Sequence, residues 1–190
     1  DECPVCSADK SMFVEITEQT PPIDPVPPAS ATPSSTNTTF LVKAYTFASA
    51  QILRHHLHPI AVHAPNGILP MALVFSLIAV FLGLAQFENA AFYSLIFVLL
   101  NMPVVIFTGY EVWQKRYRGV MTSTFKIKIA ASAVTFVFLS ILSIWRAVQP
   151  DILTTPSSAR WVYLVFTGVV VAAVGAAGHV GGKLVFGTRT

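Results

Sequence analysis

Apolar residues form four long blocks along this chain, and they do not alternate with polar residues as they would in a sheet with one face in water. The blocks lie at about residues 60–86, 91–113, 128–148 and 161–187. About 20 residues of helix cross a hydrocarbon core that is about 30 Å thick, and each block is long enough to do so. The pattern therefore predicts an all-α fold, a four-helix transmembrane bundle.

Three shorter segments precede this membrane domain, which we place at residues 58–190. Residues 1–19 contain two cysteines and are predicted to form a small head. Residues 20–38 are rich in Pro, Ser and Thr, which is typical of an extended, semi-rigid linker. Residues 39–57 have a weak amphipathic pattern and are predicted to form a helix in the membrane interface. One side of that helix would carry Phe40, Ala44, Phe47 and Ala48.

Composition supports a lipid environment for most of the chain. Hydrophobic residues make up 54% and charged residues only 11%, whereas soluble domains carry about 25% charged residues. The net charge is +3, but the basic residues lie between apolar blocks rather than in a stripe with aromatic residues, so we expect no nucleic-acid partner. No nucleophile–His–Asp arrangement and no phosphate-binding glycine loop supports a hydrolase or a nucleotide-dependent enzyme.

The distribution of Lys and Arg predicts the orientation of the bundle, because these residues accumulate on the cytoplasmic side of membranes. The connection after the second block and the flanks on the same side carry Lys43, Arg54, Lys115, Arg116, Arg118, Lys126, Lys128, Lys183 and Arg189. The opposite side has little beyond Arg146 and Arg160. We therefore expect a multi-pass protein of the bacterial cytoplasmic membrane with both termini in the cytoplasm.

Two histidines lie near the predicted cytoplasmic ends of the first and fourth helices. His63 falls about one turn into the first helix if Pro59 opens it, and His179 lies about two turns before the end of the fourth. Antiparallel helices would place both imidazoles at similar depth. Gly178 and Gly182 remove side-chain bulk beside His179, which suits either close helix packing or a haem held by two histidines from facing helices.

The remaining histidines, His55, His56 and His58, lie just before the first block beside Arg54. A basic interfacial cluster that meets anionic headgroups explains them without a cofactor, although His58 stays a candidate ligand because it adjoins the helix. Glu111, near the end of the second block, is interpreted as an interfacial charge paired with Lys115 one turn later.

The run HPIAVHAPNGILPMA (58–72) together with GHVGGKLVFG (178–187) resembles a family of small bacterial four-helix membrane proteins of unknown function. The resemblance covers about residues 58–187, and members look like membrane b-type cytochromes or accompany haem proteins. It implies that His58, His63 and His179, with Gly178 and Gly182, belong to a haem b site. Ala64 stands where the family has an aromatic residue, and TFKIKIAAS in the third block lacks a histidine found in many members.

Cys3 and Cys6 have a CxxC spacing that suits a shared metal ion at least as well as a disulfide. The surrounding run DECPVCSADKSMFVEI (1–16) resembles the second half of a rubredoxin-like iron domain, although Ser7 replaces the usual glycine. The resemblance implies that Cys3 and Cys6 are two of four thiolates around Fe or Zn. The other pair would lie upstream of Asp1 or in a partner chain; a metal-free dithiol or disulfide is the alternative.

Three functions compete on these grounds. The first is a membrane electron carrier in which a one-iron head exchanges electrons with a haem near the same membrane face. The second is an enzyme such as a quinol-oxidising haem subunit, for which the sequence offers few proton-carrying groups. The third is a cofactor-free anchoring subunit of a larger membrane redox complex. Electron transfer is favoured because both redox-like features fall on one predicted side, and the bilayer and other subunits are the expected partners.

Overall fold

The computed structural model describes residues 40–186, which contain five α-helices and no β-strand. Their bounds are α1 Phe40–Arg54, α2 Leu57–Leu82, α3 Ala85–Arg116, α4 Ser123–Val148 and α5 Ser158–Phe186. The last four are long and apolar enough to cross a membrane. The prediction of an all-helical bundle with four spans is therefore confirmed, and membrane-spanning helices imply a lipid bilayer around the chain.

The four long helices form a ring in which each packs against the next and α5 closes onto α2. Consecutive helices run antiparallel, so α2 and α4 begin at the end of the bundle where α3 and α5 finish. We call this the α1 end, because α1 packs there against α2 and α3, and we call the opposite end the Glu88 end. Side chains such as Leu69, Leu95, Leu139 and Val170 are fully buried between the helices.

The first two spans meet at a much tighter turn than the sequence suggested. Gly83 has a φ of 66° and its N–H bonds to the carbonyl of Ala79, which ends α2 four residues before the predicted limit at residue 86. Since glycine adopts a left-handed conformation without steric penalty, it provides the helix C-cap. Residues 87–90, which lie between the first two predicted blocks, belong to the first turns of α3.

A buried ion pair explains why the first turn of α3 can contain the charged residue Glu88. Glu88 is only 2% exposed, and its carboxylate lies 3.2 Å from Nε of Arg146 on α4. The backbone N–H groups of Leu153 and Thr154, in the α4–α5 connection, also donate to Glu88. Arg146, counted from the sequence among the few basic residues of this side of the membrane, is buried and paired.

The segment before the bundle forms a helix, α1, which packs on the bundle through a side other than its predicted apolar one. Ser49 and Ile52 are buried against the bundle, whereas Phe40 and Phe47 are 80% and 67% exposed. An exposed apolar side is consistent with a helix in contact with lipid at the interface. His56, with a φ of 51°, separates α1 from α2, so α2 starts at Leu57 and not at Pro59.

Candidate functional site

The helices that carry His63 and His179 are direct neighbours at the α1 end of the bundle. The side chain of Asn66 on α2 lies against Gly178 on α5, where a Cβ atom would stand 2.8 Å from Asn66 Oδ1. Gly178 thus allows α2 and α5 to approach closely at this level. The small residue has a packing role here, as glycines in membrane helices commonly do.

This contact fixes the relative depth of the two histidines. His63 lies three residues before Asn66 and His179 one residue after Gly178, both toward the α1 end. With a rise of 1.5 Å per residue, their levels differ by about 3 Å. Each residue of a helix is rotated by about 100° from the one before it. The Cα–Cβ bond of His63 therefore points about 60° away from the line that joins the axes of α2 and α5, and that of His179 points about 100° away from it. Both bonds deviate toward the same side of that line. Both histidines therefore project from one outer face of the α2–α5 pair.

Both imidazoles are exposed on that face. Nδ1 of His63 lies 2.6 Å from the carbonyl oxygen of Pro59, so this nitrogen donates and Nε2 keeps its lone pair. A histidine held in this way is oriented as a metal-ligating histidine is. Gly182, one turn beyond His179, meets no other group within 4 Å of its Cβ position, so there is open space beside this helix.

His58 lies apart from this face, at the beginning of α2, and is turned toward α3. Its Nδ1 is 3.1 Å from Oγ1 of Thr108, and a Cβ on Gly109 would stand 2.9 Å from its Cε1. Glycine at position 109 therefore leaves the space that the imidazole occupies. His58 and the pair His63 and His179 thus belong to two different places in the fold.

Beside His58, a cavity of about 360 Å³ lies between α3 and α4. Its walls are mostly apolar and include Trp113 and Phe125, while Tyr110 at its outer edge is 51% exposed. Lys128, which the sequence placed in a basic connection, lines this cavity from the second turn of α4. The cavity combines a histidine and a lysine with aromatic walls at the α1 end.

Glu111 is fully buried in the last part of α3, and its partners lie on α1. The hydroxyl of Tyr45 donates to Glu111 Oε1 at 2.6 Å, and the hydroxyl of Ser49 donates to Oε2. The hydrogen bond to Glu111 is the main cause that raises the pKa of Tyr45 above its usual value of 10.0. The expected pair with Lys115 does not form at ion-pair distance in the described part of the chain, so Glu111 anchors α1 instead.

The model of a family described as "Predicted membrane protein (DUF2231)" matches residues 54–190. The chain belongs to this family. No curated protein and no solved structure matches the chain. The matched region of the DUF2231 family includes all four spans together with His58, His63 and His179, whereas α1 lies almost entirely outside it.

Cys3 and Cys6 lie outside the described residues, so the rubredoxin-like head, its metal and the linker at 20–38 stay predictions. Within residues 40–186, no group of three or more His, Cys, Asp or Glu side chains is arranged to hold a metal ion. A site with only two histidine ligands, such as His63 and His179, has fewer than three such side chains and is not tested by this observation. The DUF2231 family match itself assigns no cofactor to any of these residues.

Three features of the site could not be recognised or were not recognised from the sequence. Lys128 is seven residues before Thr135 and three after Phe125, both buried, and this helical spacing could have placed it on an inward face. Gly109 follows the buried Thr108 within an apolar span, where glycine commonly marks a close contact. The docking of α1 on Glu111 had no such signal, because its partners are 62 and 66 residues away.

Proposed function

We propose that this member of the DUF2231 family is a membrane electron-transfer protein that holds a b-type haem between His63 and His179. The carrying observation is their placement on one face of neighbouring helices, at levels about 3 Å apart. A haem with two histidine ligands supplies a one-electron couple and has no open iron position, which suits electron transfer rather than small-molecule chemistry. The chain's own contribution is to hold and orient the two imidazoles.

The hydrogen bond from His63 Nδ1 to the Pro59 carbonyl supports this role, because it fixes the tautomer whose Nε2 can bind a metal. Open space at Gly182 supports it as well. Since both histidines are exposed, a haem held by them would extend beyond the surface of this chain. The proposal therefore includes a further subunit, or a second copy of the chain, that covers this face.

The proposed electron partner of the haem is the Cys3 and Cys6 head, completed by a second CxxC pair upstream or in another subunit. Iron bound by four thiolates is a one-electron centre. We place the head in the cytoplasm, where the reducing environment keeps cysteines available for metal binding. The α1 end of the bundle, which bears both His63 and His179, faces the same side in this proposal.

An absorption spectrum of the purified full-length protein, oxidised and reduced, tests the haem. We expect a low-spin b-type spectrum in the wild type, and its loss or conversion in His63→Ala and His179→Ala. His55→Ala is the matched control and should leave the spectrum unchanged; His56 is unsuitable because its left-handed backbone resists substitution. A wild type without haem, or His179→Ala with an unchanged spectrum, would refute the haem site.

The iron content of the same preparation tests the head. A completed four-sulfur site adds one iron for each haem, and Cys3→Ser and Cys6→Ser should each remove that additional iron without changing the haem spectrum. Elemental analysis that finds neither Fe nor Zn beyond the haem iron, in protein that carries its complete N-terminus, contradicts the proposal. If zinc is found in place of the additional iron, Cys3 and Cys6 still bind a metal, but the head cannot exchange electrons with the haem.

A second candidate is a cofactor-free subunit that anchors a larger membrane complex. Gly175 and Gly182 on α5 meet no other group within 4 Å of their Cβ positions, so this face is available for another helix. In that case Gly175→Leu should release a partner protein from the complex while no haem is found in any preparation. Release of a partner together with loss of haem would instead favour the electron carrier.

A further inference from the structure

We propose that the cavity between α3 and α4 binds the ring of a lipid-soluble quinone or its quinol, with His58 and Lys128 as the polar contacts. This site is distinct from the face that carries His63 and His179. The proposal goes beyond electron transfer by haem and does not depend on it. It rests on the position of the cavity, the tautomer of His58, the composition of the walls, and Lys128, which has no carboxylate within ion-pair distance in the part of the chain that the structure describes.

The cavity lies where a membrane-dissolved ligand can reach it. Lys128 is five residues after the start of α4, which places it about 7.5 Å along the helix from the α1 end. Tyr110 and Ile129 at the outer edge are 51% and 50% exposed on the flank of the bundle. A volume of about 360 Å³ is at the small end of the range for ligand sites, about 300–1,000 Å³, and suits one substituted ring.

His58 presents a hydrogen-bond acceptor to this cavity. The hydroxyl of Thr108 donates to the carbonyl of Val104 at 2.8 Å, so its oxygen is free to accept. Nδ1 of His58, 3.1 Å from that oxygen, is then the protonated nitrogen. Nε2 is left with its lone pair and can accept a hydrogen bond from a ligand hydroxyl.

Lys128 presents a hydrogen-bond donor, whereas His58 presents an acceptor. Its side chain is half-buried, and the ion pair found in the described part of the chain is that of Glu88 and Arg146 at the other end. No carboxylate in residues 40–186 lies within ion-pair distance of Lys128 Nζ. An ammonium group at this depth needs an acceptor, and a ligand carbonyl oxygen would provide one. A quinol satisfies both residues, because one hydroxyl can donate to Nε2 of His58 and the other hydroxyl oxygen can accept from Lys128, whereas the quinone keeps only the contact to Lys128.

The walls favour a quinone over the headgroup of an anionic phospholipid. Val105, Ile106, Phe125 and Ile129 enclose the cavity with apolar surface, and burying a phosphate among such groups beside a single cation is costly. A neutral ring can instead stack against aromatic side chains. Its isoprenoid tail would leave between Tyr110 and Ile129 into the bilayer.

Tryptophan fluorescence offers a direct test in nanodiscs, because Trp113 lines the cavity whereas Trp145 and Trp161 lie near the Glu88 end. The chain has three tryptophans, so Trp145→Phe with Trp161→Phe leaves Trp113 as the sole reporter. The indole N–H of Trp113 is held by the Val120 carbonyl at 2.9 Å. Decylubiquinone should quench this reporter saturably, while Trp113→Phe protein should show only linear quenching from quinone dissolved in the bilayer.

Lys128→Met should raise the apparent Kd for decylubiquinone about tenfold, and His58→Phe should do the same for decylubiquinol, measured by its competition with decylubiquinone, as expected for a lost hydrogen bond to a charged or buried group. Lys126→Met, on the exposed side of α4, is the matched control. All measurements are made with His63→Ala present, so that failure of this site is distinguishable from failure of the haem proposal. Linear quenching of Trp113, or Kd values that do not change in these variants, would each overturn the proposal.

Discussion

At the scale of single residues, Glu88 and Arg146 illustrate how a charge is accommodated in a membrane bundle. Both are nearly inaccessible, at 2% and 7% exposure, and they form an ion pair. Arg146 also donates to Asn89 at 2.9 Å and lies over the ring of Phe92. Removal of one partner from such a pair leaves an uncompensated buried charge, which costs about 3–5 kcal/mol.

This pair predicts non-additive mutational effects. Glu88→Gln and Arg146→Met should each lower the free energy of unfolding by about 3 kcal/mol, and the double variant should lose less than the sum because neither buried charge then stays unpaired. Unfolding in detergent mixtures with increasing SDS measures these differences. Lys115→Met, at an exposed position, serves as control and should change stability by less than about 0.5 kcal/mol. Additive losses would show that the two side chains act separately.

The sequence identifies such residues by type but not by partner. An ionisable residue within a span is recognisable as unusual, and this rule selects His63 and His179, whereas Glu111 was interpreted as an interfacial charge. It could not find the partners of Glu111, since Tyr45 and Ser49 belong to a different helix. It also treated His58 together with His55 and His56, although only His58 turns inward toward Thr108.

At the scale of helices, the apolar blocks predicted number and approximate position well and boundaries less well. Length and hydropathy are properties of each segment alone, so four spans could be recognised without knowledge of their packing. The α2–α3 turn could not be placed in the same way. The polar pair Glu88 and Asn89 separates the first two apolar blocks, and it fits inside a helix because Arg146 and the N–H groups of Leu153 and Thr154 satisfy Glu88.

For helix α1 too, the sequence pattern predicted the helix but not the contacts that hold it. Its weak pattern predicted an interfacial helix with Phe40 and Phe47 on its apolar side, but the contacts that hold it are polar ones to Glu111. Two hydroxyl donors satisfy a carboxylate that is fully buried in α3. The apolar residues of α1 are then free to face lipid, which is the arrangement expected for a helix lying on a membrane surface.

At the scale of the whole molecule, the structure sharpens the charge difference between the two ends of the bundle. Arg146 no longer counts toward the Glu88 end, because it is buried and paired. That end keeps Arg160 and the exposed Asp151, whereas exposed basic residues at the α1 end include Lys115, Arg116, Lys126 and Lys183. Because Lys and Arg near the ends of spans are retained on the cytoplasmic side, we expect the α1 end to face the cytoplasm.

Two exposed loop positions at opposite ends test this orientation. In a background with Cys3→Ser and Cys6→Ser, Thr155→Cys places a thiol at the Glu88 end and Met121→Cys places one at the α1 end; both positions are exposed. A membrane-impermeant maleimide added to intact bacterial spheroplasts should label the Thr155→Cys protein and spare the Met121→Cys protein. Both should react after the membrane is permeabilised, which controls for accessibility of each thiol. Labelling of Met121→Cys alone in intact spheroplasts would place the α1 end outside, and the proposed cytoplasmic exchange between the cysteine head and the haem would then lose its basis.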